Sequence, residues 1–199
     1  DVLIVLVIMT FLTEYTWSGE IPQATNQGDV RFTGIIKDKK FRTNISGIAS
    51  KDELLIIGAD EGAQIQVLKR QDDGSFKGDP EHFISLQIHP TDDEVDIEGI
   101  AVGKEYVYII GSHSRARKTI DASKREEKKN LKRLQQTESE PSREQLFRLN
   151  LNANGDLVKN SIKIVSLRNT ILNDPVLAPF QVIPSKENGV DIEGIAADT

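Results

Sequence analysis

The sequence predicts an all-β fold made of repeated four-stranded antiparallel units, with a charged segment inserted between strands. Three observations predict it. The residues Asp-Ile-Glu-Gly-Ile-Ala occur twice, at 96–101 and 191–196, and a weaker copy, Asn-Ile-Ser-Gly-Ile-Ala, stands at 44–49. The copies at 44–49 and 96–101 are each followed by a hydrophobic run that ends in Ile-Ile-Gly. Asp-Gly and Asn-Gly, which are strong hairpin signals, follow between alternating hydrophobic runs.

Each repeated unit reads as four antiparallel strands. The first strand begins at the motif, and the second is the hydrophobic run that ends in Ile-Ile-Gly. The third and fourth strands form a hairpin, whose turn holds Asp73-Gly74 in the first unit and Asn154-Gly155 in the second. In the first unit the hairpin strands are predicted at 63–70 and 82–88. Four-stranded units of this kind are the blades of a β-propeller.

The spacing of the motif agrees with blades and locates an insertion. Asn44 and Asp96 are 52 residues apart, about the length of one long blade. Asp96 and Asp191 are 95 residues apart, which leaves a surplus within the second unit. Residues 114–145 absorb most of it, because they are rich in Lys, Arg and Glu and hold almost no core-forming side chains. We predict a solvated charged insertion there, partly helical or disordered.

The repeat also sets the expected domain boundaries. We predict an incomplete propeller at 29–199, with about two four-stranded blades and the first strand of a third, and with 29–36 as an outer strand closing the ring against a further blade.

Residues 2–13 are hydrophobic apart from two threonines. The run is too short to span a bilayer but suits the apolar part of a secretory signal. Residues 1–20 are therefore predicted to be a truncated signal peptide, which places the protein in the periplasm or outside the cell. The alternative is a buried hydrophobic strand.

Composition excludes several classes of function. The net charge of −6 argues against nucleic acid as a partner, because phosphate binding favours a basic surface. The absence of cysteine excludes disulfides, thiol catalysis and zinc–thiolate sites. No Gly-x-Ser-x-Gly motif, phosphate-binding glycine loop or zinc-type histidine spacing occurs. No stable membrane span is expected.

The acidic residues of the repeated motif are candidate metal ligands. Asp96 and Glu98 are two positions apart, as are Asp191 and Glu193, so each pair points to one face of its strand. Carboxylates from neighbouring blades would converge and could bind calcium, or share a proton as a general acid or base. The alternative is a purely architectural motif. The acidic run 91–98 is interpreted as a solvated loop, with a local calcium loop as the alternative.

A second group of candidate binding residues follows the Ile-Ile-Gly runs. Asp60 and Glu61 align with His113 and Ser114, and Arg115 and Arg117 follow. Carboxylate, imidazole and guanidinium groups at equivalent blade ends would line one pocket mouth and hold an anionic substrate. The alternative for His113 is a hydrogen-bonded loop histidine.

Five segments together resemble a bacterial family, the domain of unknown function 3616. They read "DEVDIEGIAV", "IIGSHSRARK", "KKNLKRL", "DPVLAPF" and "ENGVDIEGIA", and the resemblance covers roughly 40–199. It implies a β-propeller with no established activity. More distantly, the Asp-x-Glu-Gly-Ile motif is similar to the blade motif of esterase-like phytases and related extracytoplasmic propellers, which implies phosphoester hydrolysis or ligand binding near the channel. This chain supplies about half of such a domain.

Two functional hypotheses follow. The first is an extracytoplasmic propeller that binds an unidentified small molecule or protein as a scaffold. The second is a calcium-dependent hydrolase of phosphoester-type substrates that uses the motif carboxylates. Calcium is the only cofactor that the residues suggest.

Overall fold

The computed structural model describes residues 30–80, 82–86, 94–118, 120 and 126–198, and the predicted signal segment 1–20 lies outside them. The described residues are mostly strands and irregular segments with few helices, which confirms the all-β prediction. The strands are β1 Phe32–Thr33, β2 Ile45–Lys51, β3 Leu54–Ala59, β4 Gln64–Arg70, β5 Phe76–Gly78, β6 Ile84–Ser85, β7 Ile97–Val102, β8 Tyr106–Gly111, β9 Arg115–Arg117, β10 Thr137–Ser139, β11 Leu146–Asn150 and β12 Lys163–Val165. The α-helices are α1 Lys39–Thr43, α2 Glu127–Gln135 and α3 Arg168–Asn173, and 3₁₀ turns occur at Lys159–Ser161, Ala178–Phe180 and Ser185–Glu187.

Two antiparallel sheets repeat one design. The first has the order β2-β3-β4, with β5 and β6 both paired to β4, and the second has the order β7-β8-β11-β12. In each sheet the motif strand stands first and pairs with the hydrophobic strand that follows it, and its register shifts at the same place, between Ile45 and Gly47 and between Ile97 and Gly99. The predicted strand order within each unit is therefore confirmed. No sheet closes into a ring among the described residues, so the blade count stays a prediction.

The outermost strand of the first unit is interrupted. β5 pairs with the Arg70 end of β4, and β6 pairs with its Gln64 end. Asp79 and Pro80 lie between the two pieces. Because proline has no N–H to give to a ladder, the strand breaks there. The strand predicted at 82–88 is therefore limited to Ile84–Ser85 within the described part of the chain.

The two hairpin turns have the same geometry. Gly74 and Gly155 both have φ of +78°, in the left-handed region that glycine adopts without steric cost. The N–H of Gly74 donates to the carbonyl of Gln71, and that of Gly155 to the carbonyl of Asn152, each over 2.9 Å. Both are three-residue loops that end in a left-handed glycine, which suits a hairpin with right-handed twist. The turns predicted from Asp-Gly and Asn-Gly are thus present.

The core lies between the two sheets. Buried side chains from both sheets form one cluster, which includes Ile56, Ile65, Ile97, Ile109 and Phe147. A second cluster covers the other face of the first sheet and is built on residues from the segment before β2, including Ile36 and Phe41, and on strand residues such as Ile57 and Leu68.

The segment before β2 differs from the prediction in its pairing. β1 runs parallel to β5 at the outer edge of the first sheet, with Phe32 opposite Phe76. The expectation that 29–36 would pair with a last blade is therefore wrong for the described structure. The physical reason is that burial of Ile36 and Phe41 against the first sheet holds this segment close to β5.

Successive copies of the motif are packed against each other through glycine. A Cβ on Gly47 would lie 2.9 Å from the side chain of Ile100, and one on Gly99 would lie 3.0 Å from the Cα of Gly194. The N–H of Ile192 donates to the carbonyl of Ser112 over 2.8 Å, which also fixes the third copy beside the second sheet. Successive copies of the motif are therefore in tight contact.

The third copy of the motif is not a strand. Residues 191–196 have no regular secondary structure, so the prediction of a third inner strand is wrong for the described structure. A strand needs a hydrogen-bonded neighbour, and the described residues supply none for 191–196 comparable to β3 for β2 or β8 for β7.

The charged insertion forms a separate small hairpin. β9 and β10 pair antiparallel, and α2 between them buries none of its residues. This agrees with a partly helical, solvated insertion outside the two main sheets. The C-terminal base of the insertion differs from the predicted solvated segment, because Ser142 and Glu144 are buried. Glu144 accepts hydrogen bonds from Arg168 over 2.6 and 2.7 Å, which ties the base to α3.

No described helix is long and apolar enough to cross a membrane.

The packing of the motif copies predicts a difference between two glycines. Gly99→Ala should destabilise the fold by about 1–3 kcal/mol, because its methyl group meets backbone atoms that cannot rotate away. Gly194→Ala is the matched control, since a Cβ there has no atom within 4 Å. Urea unfolding of both variants measures the difference. Equal stabilities of the two variants would contradict the close approach.

Candidate functional site

A charged cavity of about 480 Å³ lies where the ends of both sheets, the insertion and the third motif copy meet. We call it the motif cavity. Five of the residues predicted from sequence line it, from four separate segments: Asp60, Asp96, Glu98, Arg115 and Asp191. The other charged residues in its wall are Glu94, Arg117, Arg143, Lys186 and Glu187.

The second motif copy supplies two carboxylates to the cavity. Asp96 directly precedes β7 and Glu98 lies within it, and both line the cavity, as expected for side chains two positions apart. Asp96 has φ of +57°, a left-handed conformation that Asp adopts more readily than most residues. Its carbonyl accepts the N–H of Ser112 over 3.0 Å. Backbone geometry therefore fixes where this carboxylate lies.

Asp60, which lines the cavity, is aligned one residue differently in the structure than in the sequence. The N–H of Asp60 donates to the carbonyl of Asn44 over 3.1 Å, as that of Ser112 donates to Asp96. Asp60 is therefore the structural equivalent of Ser112, and the sequence alignment that paired it with His113 is wrong by one position. In a strand such an offset reverses the direction of the side chain.

Three predicted site residues do not line the cavity. Glu61 pairs with Lys40 over 2.9 Å. His113 is fully buried, and its Nδ1 lies 2.9 Å from the carbonyl of Gly111 while its Nε2 accepts the N–H of Leu167 over 3.1 Å. Burial lowers the pKa of His113, so the ring is a neutral structural element. Glu193 is exposed beside the cavity.

Arg143 neutralises one side of the cavity. Its guanidinium donates to Asp96 Oδ2 over 3.0 Å, to Glu140 Oε2 over 2.7 Å and also to Glu94. The side chains of Arg143 and Asp96 are 18% and 15% exposed, so the pair is screened only partly by water. Glu94 belongs to the acidic run 91–98 that the sequence predicts to be a solvated loop, but it is half-buried and paired; residues 91–93 of that run lie outside the described residues.

A second arginine connects the insertion to the cavity rim. Arg117 Nη2 donates to Glu187 Oε2 over 2.7 Å, which joins β9 to the 3₁₀ turn Ser185–Glu187. The sequence places Arg117 beside Arg115 at the predicted pocket mouth, whereas it does not predict the roles of Arg143 and Glu187. The one available signal was the position of Arg143 just before the hydrophobic strand β11, where an otherwise solvated insertion must return to the sheet.

Glu98 and Asp191 form no ion pair among the described residues. Partial burial, followed by the charges of Asp96, Glu193 and Asp191, raises the pKa of Glu98 to about 8. Partial burial, followed by the charges of Glu193 and Asp96, raises the pKa of Asp191 to about 6, although a hydrogen bond from Ser185 lowers it. At neutral pH Glu98 therefore holds a proton, and it can donate a hydrogen bond or a proton to a bound molecule.

Two further groups in the wall have a polar atom without a partner. Asp60 Oδ1 and Arg115 Nε are both buried and make no hydrogen bond among the described residues. Neither side chain forms an ion pair there, and the two do not pair with each other. No group of three or more Asp, Glu or His side chains in the described part of the chain is arranged to hold a metal ion.

The raised pKa of Glu98 predicts a dependence of stability on pH. A proton bound in the folded state favours folding fully below the unfolded value of 4.5, and that contribution is lost as pH rises towards 8. Glu98→Gln should therefore melt at a higher temperature than the unchanged chain at pH 8–9, with a smaller difference at pH 5.

Asp156→Asn is the control for this experiment. A hydrogen bond from Lys69 lowers the pKa of Asp156, so its contribution is constant above the unfolded value of 3.8. Its effect on the melting temperature should be the same from pH 5 to pH 9. A pH profile of Glu98→Gln parallel to that of the unchanged chain would show that Glu98 is ionised at neutral pH.

Comparison with known proteins gives a family and no function. No curated protein and no solved structure matches the chain. A family model described as a protein of unknown function (DUF3616) matches residues 44–199, which contain all three motif copies, the insertion and every charged residue of the motif cavity. The chain therefore belongs to the DUF3616 family.

Proposed function

We propose that this chain is part of an extracytoplasmic β-propeller whose motif cavity binds a small ligand through a positively charged group. One observation carries the proposal: Asp60, Glu98 and Asp191 reach the same cavity from three segments, and none forms an ion pair among the described residues. Two of the three arginines in the wall, Arg143 and Arg117, are engaged by other carboxylates. The extracytoplasmic location rests on the hydrophobic segment 2–13.

The electrostatics of the cavity favour a cation. Partial burial and then adjacent negative charges raise the pKa of Glu98 to about 8 and that of Asp191 to about 6, so both factors oppose ionisation here. A bound cation would offset that repulsion and displace the proton from Glu98. Binding should therefore tighten as the pH rises from 6 to 9.

A second candidate function is a calcium-dependent phosphoester hydrolase. The observation in its favour is a protonated carboxyl, Glu98, beside Asp96 and Asp191 in one cavity, since a proton donor among carboxylates suits hydrolysis. Calcium takes six to eight oxygen ligands, and the described carboxylates would have to move closer together to supply them. The hydrolase therefore requires rearrangement of the site, whereas binding of a cationic ligand does not.

Titration with simple cations tests the proposal. Putrescine, an organic dication, and calcium are each added to the chain at pH 8 while thermal unfolding and binding heat are measured. A ligand at a hundred times its Kd stabilises the folded state by about 2.7 kcal/mol. The double variant Glu98→Gln with Asp191→Asn should weaken binding at least tenfold, as each carboxylate lies in the cavity wall.

The control is Glu61→Gln, because Glu61 pairs with Lys40 outside the cavity and its loss should leave binding unchanged. Stabilisation by putrescine supports the binding function. Stabilisation by calcium alone, with calcium-dependent hydrolysis of p-nitrophenyl phosphate that the double variant abolishes, favours the hydrolase. Absence of binding by both cations at 10 mM would refute the proposal.

A further inference from the structure

We propose that the ligand of the motif cavity is dipolar: it carries a carboxylate or phosphate for Arg115 as well as a positively charged group for Asp60 and its neighbouring carboxylates. The inference rests on the proposed function and adds the anionic half of the ligand. It comes from two side chains of opposite charge that line one cavity without pairing with each other.

Arg115 is the one arginine of the cavity wall that is not engaged. Arg117 is held by Glu187, and Arg143 by Glu94, Asp96 and Glu140. Arg115, on β9, is half-buried, and its Nε has no hydrogen-bond partner among the described residues. A guanidinium has five N–H donors in a planar fork that matches a carboxylate or phosphate. A charged group left unpaired in a partly desolvated wall is costly, and an anion in the cavity would remove that cost.

Asp60 lacks a hydrogen-bond donor among the described residues, whereas Arg115 lacks an acceptor. It is half-buried at the end of β3, and its Oδ1 is buried without a partner. The carboxylate is acceptor-only when ionised, so the missing partner must be a donor such as an ammonium group. Glu98 and Asp191 in the same wall add negative charge.

Neither a simple anion nor a simple cation satisfies both groups. A simple anion would bind Arg115 but meet the three carboxyl side chains of the wall that form no ion pair among the described residues, and a simple cation would leave the guanidinium unpaired. A molecule with both charges satisfies the two ends together. The cavity of about 480 Å³ is within the range of small-molecule sites, so both charges fit in one small ligand.

Matched probes separate the two halves. The full chain is titrated at pH 8 with phosphoethanolamine, ethanolamine and inorganic phosphate, and separately with the longer series 6-aminohexanoate, hexylamine and hexanoate. In at least one series the dipolar probe should bind at least tenfold tighter than either single-charge probe.

Three variants assign the effect to residues. Arg115→Gln should remove the advantage of the dipolar probe over the amine and leave amine binding unchanged. Asp60→Asn should remove its advantage over the anion. Arg42→Gln, at an exposed arginine of α1 outside the cavity, is the charge-matched control and should bind all probes as the unchanged chain does. Circular dichroism establishes that each variant is folded.

The outcomes are distinct. If in both series the amine binds as tightly as the dipolar probe and Arg115→Gln changes nothing, the dipolar inference is overturned and the proposed cation-binding function stands. If the anion binds as tightly as the dipolar probe and Asp60→Asn tightens it, the inference is overturned in favour of an anion site. If putrescine binds but no probe of either series does, the dipolar inference alone fails. If putrescine, calcium and all of these probes fail to bind, both proposals fail.

Discussion

The close contact between successive motif copies is the constraint on which the candidate site depends. Gly47 lies against Ile97 and Ile100 of the second copy, and Gly99 lies against Gly194 of the third. A side chain at either glycine would separate these segments. Glu98 directly precedes Gly99, and Asp191 lies three residues before Gly194, so the packing that joins the copies also brings these carboxylates to one cavity. Architecture and candidate function therefore use the same residues of the motif.

The carboxylates of the motif copies repel one another where they meet, and positive charge compensates only some of them. Arg143 compensates Asp96 and Glu94, and it comes from the base of the charged insertion. Arg117 of the same insertion fixes the rim turn through Glu187. The insertion is thus part of the site's wall, although its helix is solvated. What remains is a protonated Glu98 and, in the same wall, an unpaired Asp60 and an unpaired Arg115, and the ligand binding that we propose rests on this residual imbalance.

Much of the fold could be predicted because it follows from local patterns. The motif strands, the hydrophobic strands and both hairpins are encoded by residue periodicity and by glycine at the turns. Asp96 and Glu98 could be assigned to one face because strand alternation has a fixed period of two. These features depend on near neighbours in sequence.

The features that could not be predicted depend on distant contacts. The one-residue offset between the units, which makes Ser112 rather than His113 the equivalent of Asp60, is set by strand register. Arg143 lies 47 residues from Asp96, and no local pattern marks that pair. His113 resembled a ligand because imidazole is reactive, yet its two ring nitrogens are used by backbone groups in the interior. The irregular conformation of the third motif copy could not be predicted, because its sequence is that of a strand. It is not a strand because it has no neighbouring strand among the described residues.

Amide hydrogen exchange at Ile192 tests the docking of the motif copies most directly. Its N–H donates to the carbonyl of Ser112 over 2.8 Å, which is the hydrogen bond that holds the third copy beside the second sheet. The account predicts that the Ile192 amide exchanges much more slowly than the amide of Glu193, which has no backbone acceptor among the described residues. Exchange of Ile192 at the rate of an unprotected amide would show that the third copy is not docked, and the cavity it helps to form would not exist in solution.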